Sequence, residues 1–178
     1  MAIEPPPLPL PEDGLALIRE RVRPEWVDYN GHMNVAWYVA AFDHASDMLL
    51  EQVGLGPTYR REEDRSVFTV EAHITYQREA HCGDLLEFRT RLIGFDQKRI
   101  RYIQQMYRVE DASLVATAEW LVLHVDMKTR RTAPIPEAGL AALEALRRRQ
   151  AELPIPSEAG RAIVMQKSED RNQKPEGR

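Results

Sequence analysis

Apolar residues recur along this chain with two different periods, and the change of period divides it into elements. Val35, Tyr38, Val39, Phe42, Ala45, Leu49 and Val53 return every three or four positions, the spacing of one helix face, and Gly54 with Gly56-Pro57 closes the run. A helix over 35–53 is roughly 28 Å long at 1.5 Å per residue, enough to cross a sheet. Phe68, Val70, Ala72, Ile74 and Tyr76 then alternate with Val67, Thr69, Glu71, His73 and Thr75, as in a half-buried strand. After a turn at His81-Cys82-Gly83-Asp84, residues 86–95, 99–109 and 114–126 read as three further strands with turn-forming residues between them. Four consecutive strands with short connections predict an antiparallel meander. One long helix before such a meander predicts an α+β fold in which a curled antiparallel sheet wraps around one long central helix.

The flanks add less. Residues 15–27 predict a first strand or extended segment, with Pro24 marking an edge or a bulge. Pro134 and Pro136 end the last strand, and 137–152 reads as a helix with Leu140, Leu143 and Leu146 on one face and Arg147, Arg148 and Arg149 near its C-terminus. The charge run at 60–65 reads as a solvated loop. Pro5, Pro6, Pro7, Pro9 and Pro11 predict an extended arm over 1–13, and the polar residues 153–178 a disordered tail, leaving 14–152 as one domain.

Composition narrows the function classes. With 178 residues, 43% of them hydrophobic, the chain can bury a core, and a net charge of −4 argues against bulk attraction to nucleic acid. A single cysteine, Cys82, excludes an intrachain disulfide and a multi-cysteine metal site. His32, His44, His73, His81 and His124 form no H-x-H or H-x-x-x-H pair, so no metal and no cofactor is expected. The N-terminus lacks the basic and apolar regions of a signal peptide, and no apolar run approaches bilayer length. These features predict a cytoplasmic protein without nucleic-acid or membrane partners.

The candidate chemistry gathers at Trp26-Val27-Asp28-Tyr29-Asn30-Gly31-His32-Met33-Asn34. A carboxylate, Asp28, precedes an Asn-Gly turn that opens into the helix, whose free N–H groups and positive dipole end face the same way. That arrangement joins a base or nucleophile to an oxyanion stabiliser. Asp28 can activate water, attack a carbonyl directly, or only cap the turn. His32 either orients a substrate or supports the turn, Asn34 either caps the helix or contacts substrate, and Gly31 serves by a positive φ or a close approach to the reacting group. Glu71 and His73 share the polar side of the regular strand, as pocket lining or as a solvated face. Lys98, Arg99 and Arg101, with Arg60 and Arg61, are available for phosphates or are ordinary surface charge.

The segment Asp28-Tyr29-Asn30-Gly31-His32-Met33-Asn34, with Tyr38 and Asp43 beyond it, resembles the active-site segment of hotdog thioesterases of the 4-hydroxybenzoyl-CoA thioesterase type. Pro24-Glu25-Trp26-Val27-Asp28, Thr69-Val70-Glu71-Ala72-His73-Ile74, Lys98-Arg99, Ala116-Thr117-Ala118-Glu119 and Leu123-His124-Val125-Asp126 further resemble the betainyl-CoA thioesterases, including those fused behind L-carnitine dehydrogenases. This chain carries no G-x-G-x-x-G of a dehydrogenase, and has Asp43 where many members have Glu. The resemblance implies a hotdog fold, hydrolysis of a small acyl-CoA with Asp28 acting on the thioester carbon, and homodimers or dimers of dimers with sites at the subunit interface. Coenzyme A as ligand would bring phosphates, for which Arg60, Arg61, Lys98, Arg99 and Arg101 are the candidate cations, with ordinary surface charge as the competing use. For a betainyl group, whose quaternary ammonium needs an aromatic or anionic enclosure, Trp26, Trp37, Tyr38 and Glu71 are the candidates, with core packing as the competing use of the aromatics.

Two rivals remain at this level. A hotdog hydratase or dehydratase also places Asp and His around the helix, but with a longer Asp-x-Asn-Pro-x-His spacing than Asp28 to His32 provides. A noncatalytic acyl-CoA-binding protein would keep the pocket without turnover; the DNA-binding segment of such a sensor is missing from this acidic chain.

Overall fold

The computed structural model describes residues 18–164; the proposed arm over 1–13 lies outside them. The elements in chain order are β1 (Ile18–Arg21), α1 (Val35–Gln52), α2 (Pro57–Glu63), β2 (Arg65–Tyr76), β3 (Leu85–Phe95), β4 (Arg99–Arg108), β5 (Leu114–Asp126), β6 (Arg131–Thr132) and α3 (Glu137–Arg149). Pro24 sits outside β1, in a single 3-10 turn over Pro24–Trp26. There its fixed φ and missing N–H cost nothing.

The strands form one antiparallel sheet in the order β1-β3-β4-β5-β2, with β6 paired to the end of β5. The sheet curls around α1, whose Tyr38, Ala41, Phe42, Ala45 and Leu49 are buried among Phe88, Tyr102, Met106, Ala118 and Val122. Phe42 meets Phe88 edge to face at 5.6 Å between ring centroids. This is the hotdog arrangement. No helix among the described residues is long and apolar enough to cross a membrane.

Three local expectations are corrected. The strands are not a four-strand meander: β3, β4 and β5 are, but β2 pairs with β5 and lies at the far edge of the sheet from β1. Residues 77–84 therefore cross from one side of the sheet to the other. They are held there by Met33 N donating to Ala80 O at 2.7 Å and Ala80 N donating to the Tyr38 hydroxyl at 3.0 Å. The alternation along β2 also slips. A bulge between Thr69 and Glu71 leaves Val70 half exposed, so Val67 before it and Ile74 after it both pack on the core despite their opposite parity. Finally, the charge run near residue 60 forms α2, started by Pro57 and ended by Asp64 with a left-handed φ of 52°.

Within the expected tail, residues 153–164 are described and residues 165–178 are not. The described part lies against the sheet: Arg91 donates to Leu153 O at 3.1 Å, and Gly160 N donates to Glu119 at 2.6 Å. Before it, the Gln150 amide accepts from Leu92 N at 2.9 Å and donates to Thr90 O at 2.8 Å, pairing β3 backbone groups where β1 no longer reaches.

Candidate active site

The 26–34 stretch folds back on itself before entering α1. Val27 bridges Met33, Asn34 N donates to Trp26 O at 2.8 Å, and Asp28 N donates to His32 O at 3.1 Å. The reversal requires Gly31, whose φ is 83°; a Cβ there would meet nothing within 4 Å, so its demand is conformational and not spatial.

Within this loop the Asp28 carboxylate is held at both oxygens. Oδ1 accepts from Asn30 N at 2.8 Å, and Oδ2 accepts from Asn34 Nδ2 at 3.2 Å. Asn34 Oδ1 in turn accepts from Ala36 N at 3.0 Å and is the N-cap of α1. One amide thus ties the carboxylate to the first turn of the central helix. Each carboxylate oxygen keeps a further lone pair, and Asp28 is partly open to solvent. A held, accessible carboxylate beside a helix N-terminus can take a proton from water or attack an electrophile whose oxygen faces the helix.

His32 Nδ1 lies 3.2 Å from Met33 O. A carbonyl only accepts, so Nδ1 carries the proton, and in the neutral ring Nε2 is left as an acceptor. A cavity of about 370 Å³ opens here, lined by His32, Met33, Val35 and Tyr38 from the loop and helix, and by Tyr76 and Glu79 from the end of β2 and the crossing connection. Val35 is the first residue of α1, so the cavity sits beside the helix entrance, although Asp28 and Asn34 do not themselves line it. Burial pushes the Tyr38 phenol above its ordinary value while the Ala80 N–H opposes that shift; with its oxygen held by Ala80 N, the phenol stays protonated and is no base.

Other proposed site residues are placed elsewhere. Trp26 is buried, its ring stacked on Trp37 at 5.3 Å, and neither lines the cavity. Asp43 is exposed further along α1. Glu71 and His73 lie on the sheet face away from α1, in a separate cavity of about 340 Å³ with Arg101 and Glu119; Arg101 donates to Glu119 at 2.6 Å. Arg60 pairs with Asp64 at 3.2 Å and Arg61 donates to Thr58 at 2.9 Å, both on α2. Lys98 lies in the β3–β4 turn and Arg99 opens β4, where Arg99 and the neighbouring backbone N–H groups hold the Asp96 carboxyl down to about 2. The loop of Asp28 faces the opposite end of the sheet, where β2 ends and β3 begins. Along β4 the two ends are about 30 Å apart at 3.3 Å per residue. Within one protomer these five cations do not meet Asp28.

Tyr76 and Glu79 were missed by sequence reasoning. In the sequence Tyr76 is one more member of the strand alternation, and Glu79 belongs to no motif. Only the crossing of 77–84 over the helix entrance brings them to the site, and nothing in their local sequence signals that crossing.

Comparison with known proteins shows the family. The family model of the thioesterase-like superfamily matches residues 22–143. A betainyl-CoA thioesterase of Pseudomonas aeruginosa is 38% identical over 142 residues, covering 80% of this chain and 89% of that one. An L-carnitine dehydrogenase/betainyl-CoA thioesterase of Agrobacterium fabrum is 42% identical over 149 residues, which are 84% of this chain and 30% of that longer protein. Among solved structures, a hypothetical protein of Staphylococcus aureus in complex with CoA aligns with a TM-score of 0.80 at 26% identity, covering 85% of this chain and 96% of that one.

Proposed function

This chain belongs to the thioesterase-like superfamily and is an acyl-CoA thioesterase; we propose that its substrate is betainyl-CoA and that Asp28 is its catalytic carboxylate. The observation that carries the catalytic assignment is the hydrogen bond from Asn34 Nδ2 to Asp28 Oδ2, made by the residue that also caps α1. In this reading the thioester carbonyl oxygen lies at the N-terminus of α1, where the helix dipole stabilises the developing oxyanion. Asp28 either takes a proton from the attacking water or bonds to the carbonyl carbon itself. By either route the C–S bond breaks, the sulfur of CoA leaves as the thiol, and the elements of water end in the free acid and that thiol. Asn34 orients the carboxylate, Gly31 sets the turn, and His32 lines the neighbouring cavity. The support for betainyl as the acyl group is the name carried by relatives up to 42% identical.

We place the enzyme in the cytoplasm as a homodimer or dimer of dimers. The outer edge of β2 pairs with no described strand; Val70 and Tyr76 on β2, and Val35 across the cavity from Tyr76, lie exposed. Antiparallel pairing of two β2 edges would carry α2 of one copy, with Arg60 and Arg61, toward the Tyr76 end of the other. That supplies cations for the phosphates of CoA; Lys98, Arg99 and Arg101 are the more distant candidates for the same role.

The test is thiol release from betainyl-, acetyl-, butyryl-, 4-hydroxybenzoyl- and palmitoyl-CoA by the parent and by Asp28→Asn. The expected result is fast release from betainyl-CoA, lowered at least about 100-fold in Asp28→Asn. No release from any member, together with tight binding of one by calorimetry, overturns hydrolysis in favour of binding. Faster release from another acyl group overturns only the substrate.

A further inference from the structure

We infer that Tyr76 and Glu79 form the subsite that reads the positive charge of the acyl group; this rests on the betainyl reading above. A trimethylammonium group has no N–H to donate, so only charge and contact can recognise it, which calls for an aromatic face, a carboxylate with no permanent cation fixed on it and apolar walls. In a betainyl thioester the nitrogen is bonded to the carbon next to the carbonyl. Ordinary bond lengths and angles therefore put the cation about 2.5 Å from the carbon under attack. Its recognition groups must flank the helix entrance itself.

Tyr76 and Glu79 meet that requirement. Both line the cavity that His32 and Val35 share at the start of α1. Tyr76 is 48% exposed, and its ring stands at 88° to that of Tyr38 with 5.3 Å between centroids, which fixes its orientation through a buried neighbour. The Glu79 carboxylate, 65% exposed, accepts no hydrogen bond from the described residues; its ion-pair partners are two imidazoles, His32 Nε2 at 3.9 Å and His81 Nε2 at 3.8 Å, which carry charge only when protonated. Its charge reaches the cavity: beyond the effect of burial, it adds to the upward push on the Tyr38 phenol. Val35, 56% exposed, supplies methyl contacts. Arg78 also lines the cavity and would repel a cation, but it lies near Asp111, whose carboxyl is held low by Ser113 hydrogen bonds and further by Arg108 and Arg78. By contrast, Glu71 lies on the far face of the sheet, and the Trp26–Trp37 stack lies outside the cavity.

The experiment compares betainyl-CoA with 3,3-dimethylbutyryl-CoA, which replaces the nitrogen by carbon and so keeps the shape without the charge. The quantity read is the ratio of kcat/KM for the two substrates in the parent, Glu79→Gln, Tyr76→Leu and Tyr76→Phe. The parent is expected to favour the cationic substrate, the ratio to fall at least about tenfold in Glu79→Gln and in Tyr76→Leu, and Tyr76→Phe to keep it because it keeps the ring. A parent that prefers the cation while the ratio stays unchanged in Glu79→Gln and Tyr76→Leu overturns the subsite and leaves the substrate reading standing. A parent without preference overturns the substrate reading, and the subsite with it. Loss on both substrates alike in the variants also overturns the subsite, because it reports damage to the site and not to charge recognition.

Discussion

Asp28 and Glu119 are two carboxylates held in the same way by different means. Each is held at both oxygens: by Asn30 N and Asn34 Nδ2 for Asp28, and by the Arg101 guanidinium and Gly160 N for Glu119. The partners of Asp28 lie within six residues of it along the chain, whereas those of Glu119 are 18 and 41 residues away. Asp28 is partly accessible at a helix entrance, and Glu119 is buried on the outer face of the sheet beneath the segment that follows α3. The first is positioned by a turn and a cap, the second by the fold as a whole. Changes at the first should therefore separate rate from stability, and changes at the second should cost stability alone.

The sharpest test of that separation after Asp28 itself is Asn34, which caps the helix and holds the carboxylate with one amide. Asn34→Ala removes both roles, with a stability cost of about 1 kcal/mol from the lost cap. Asn34→Ser restores the cap, since its hydroxyl accepts from the helix backbone, but is too short to reach Asp28 Oδ2 as well. Thermal unfolding of Asn34→Ser should return close to the parent, while kcat/KM stays about tenfold or more below it for want of orientation. Recovery of both in Asn34→Ser would reduce Asn34 to a cap.

On the other side of the comparison, Glu119→Gln keeps the shape of the side chain and removes its charge. The Arg101 side chain is 46% exposed and finds water, so the expected cost is about 1 kcal/mol, seen as a lower urea midpoint. The kcat should not move. A fall in kcat would mean that the outer face communicates with the helix entrance, and would break the division between the two carboxylates.

The same division explains how much was legible in the chain. The helix, the strands of the meander and the Asp28-to-Asn34 turn are written in periods and pairs of neighbouring residues, and Asn30-Gly31 announces its own positive φ. The position of β2 beside β5 is not, because an eight-residue connection serves a hairpin loop or a crossing equally well by length. That single ambiguity hid Tyr76 and Glu79. The bulge at Val70 was equally silent, since Val70 fits a simple alternation and only the register with β5 exposes the slip. The distant cations were grouped by charge alone, and charge does not say at which end of a strand a residue stands.

The smallest expected effect lies on the outer face at Glu87, and its sign can be worked out. Burial pushes this carboxyl up, but hydrogen bonds from Arg19 and Arg89 outweigh burial and hold it below its ordinary value. Arg19 donates to Oε2 at 2.7 Å and Arg89 to Oε1 at 2.9 Å, tying β1 to β3 and the carboxylate to its own strand. A depressed carboxyl contributes stability that is present above its unfolded value and is lost as pH falls through the folded one. The two arginine side chains are 43% and 44% exposed, so solvent screening keeps the contribution below about 1 kcal/mol. Glu87→Gln should therefore be slightly less stable than the parent at pH 7. The gap in urea midpoint should close as pH drops below the ordinary Glu value of 4.5. A gap that persists at pH 3 would assign the loss to packing of the Gln side chain, and the outer face would then hold its carboxylates by shape as much as by charge.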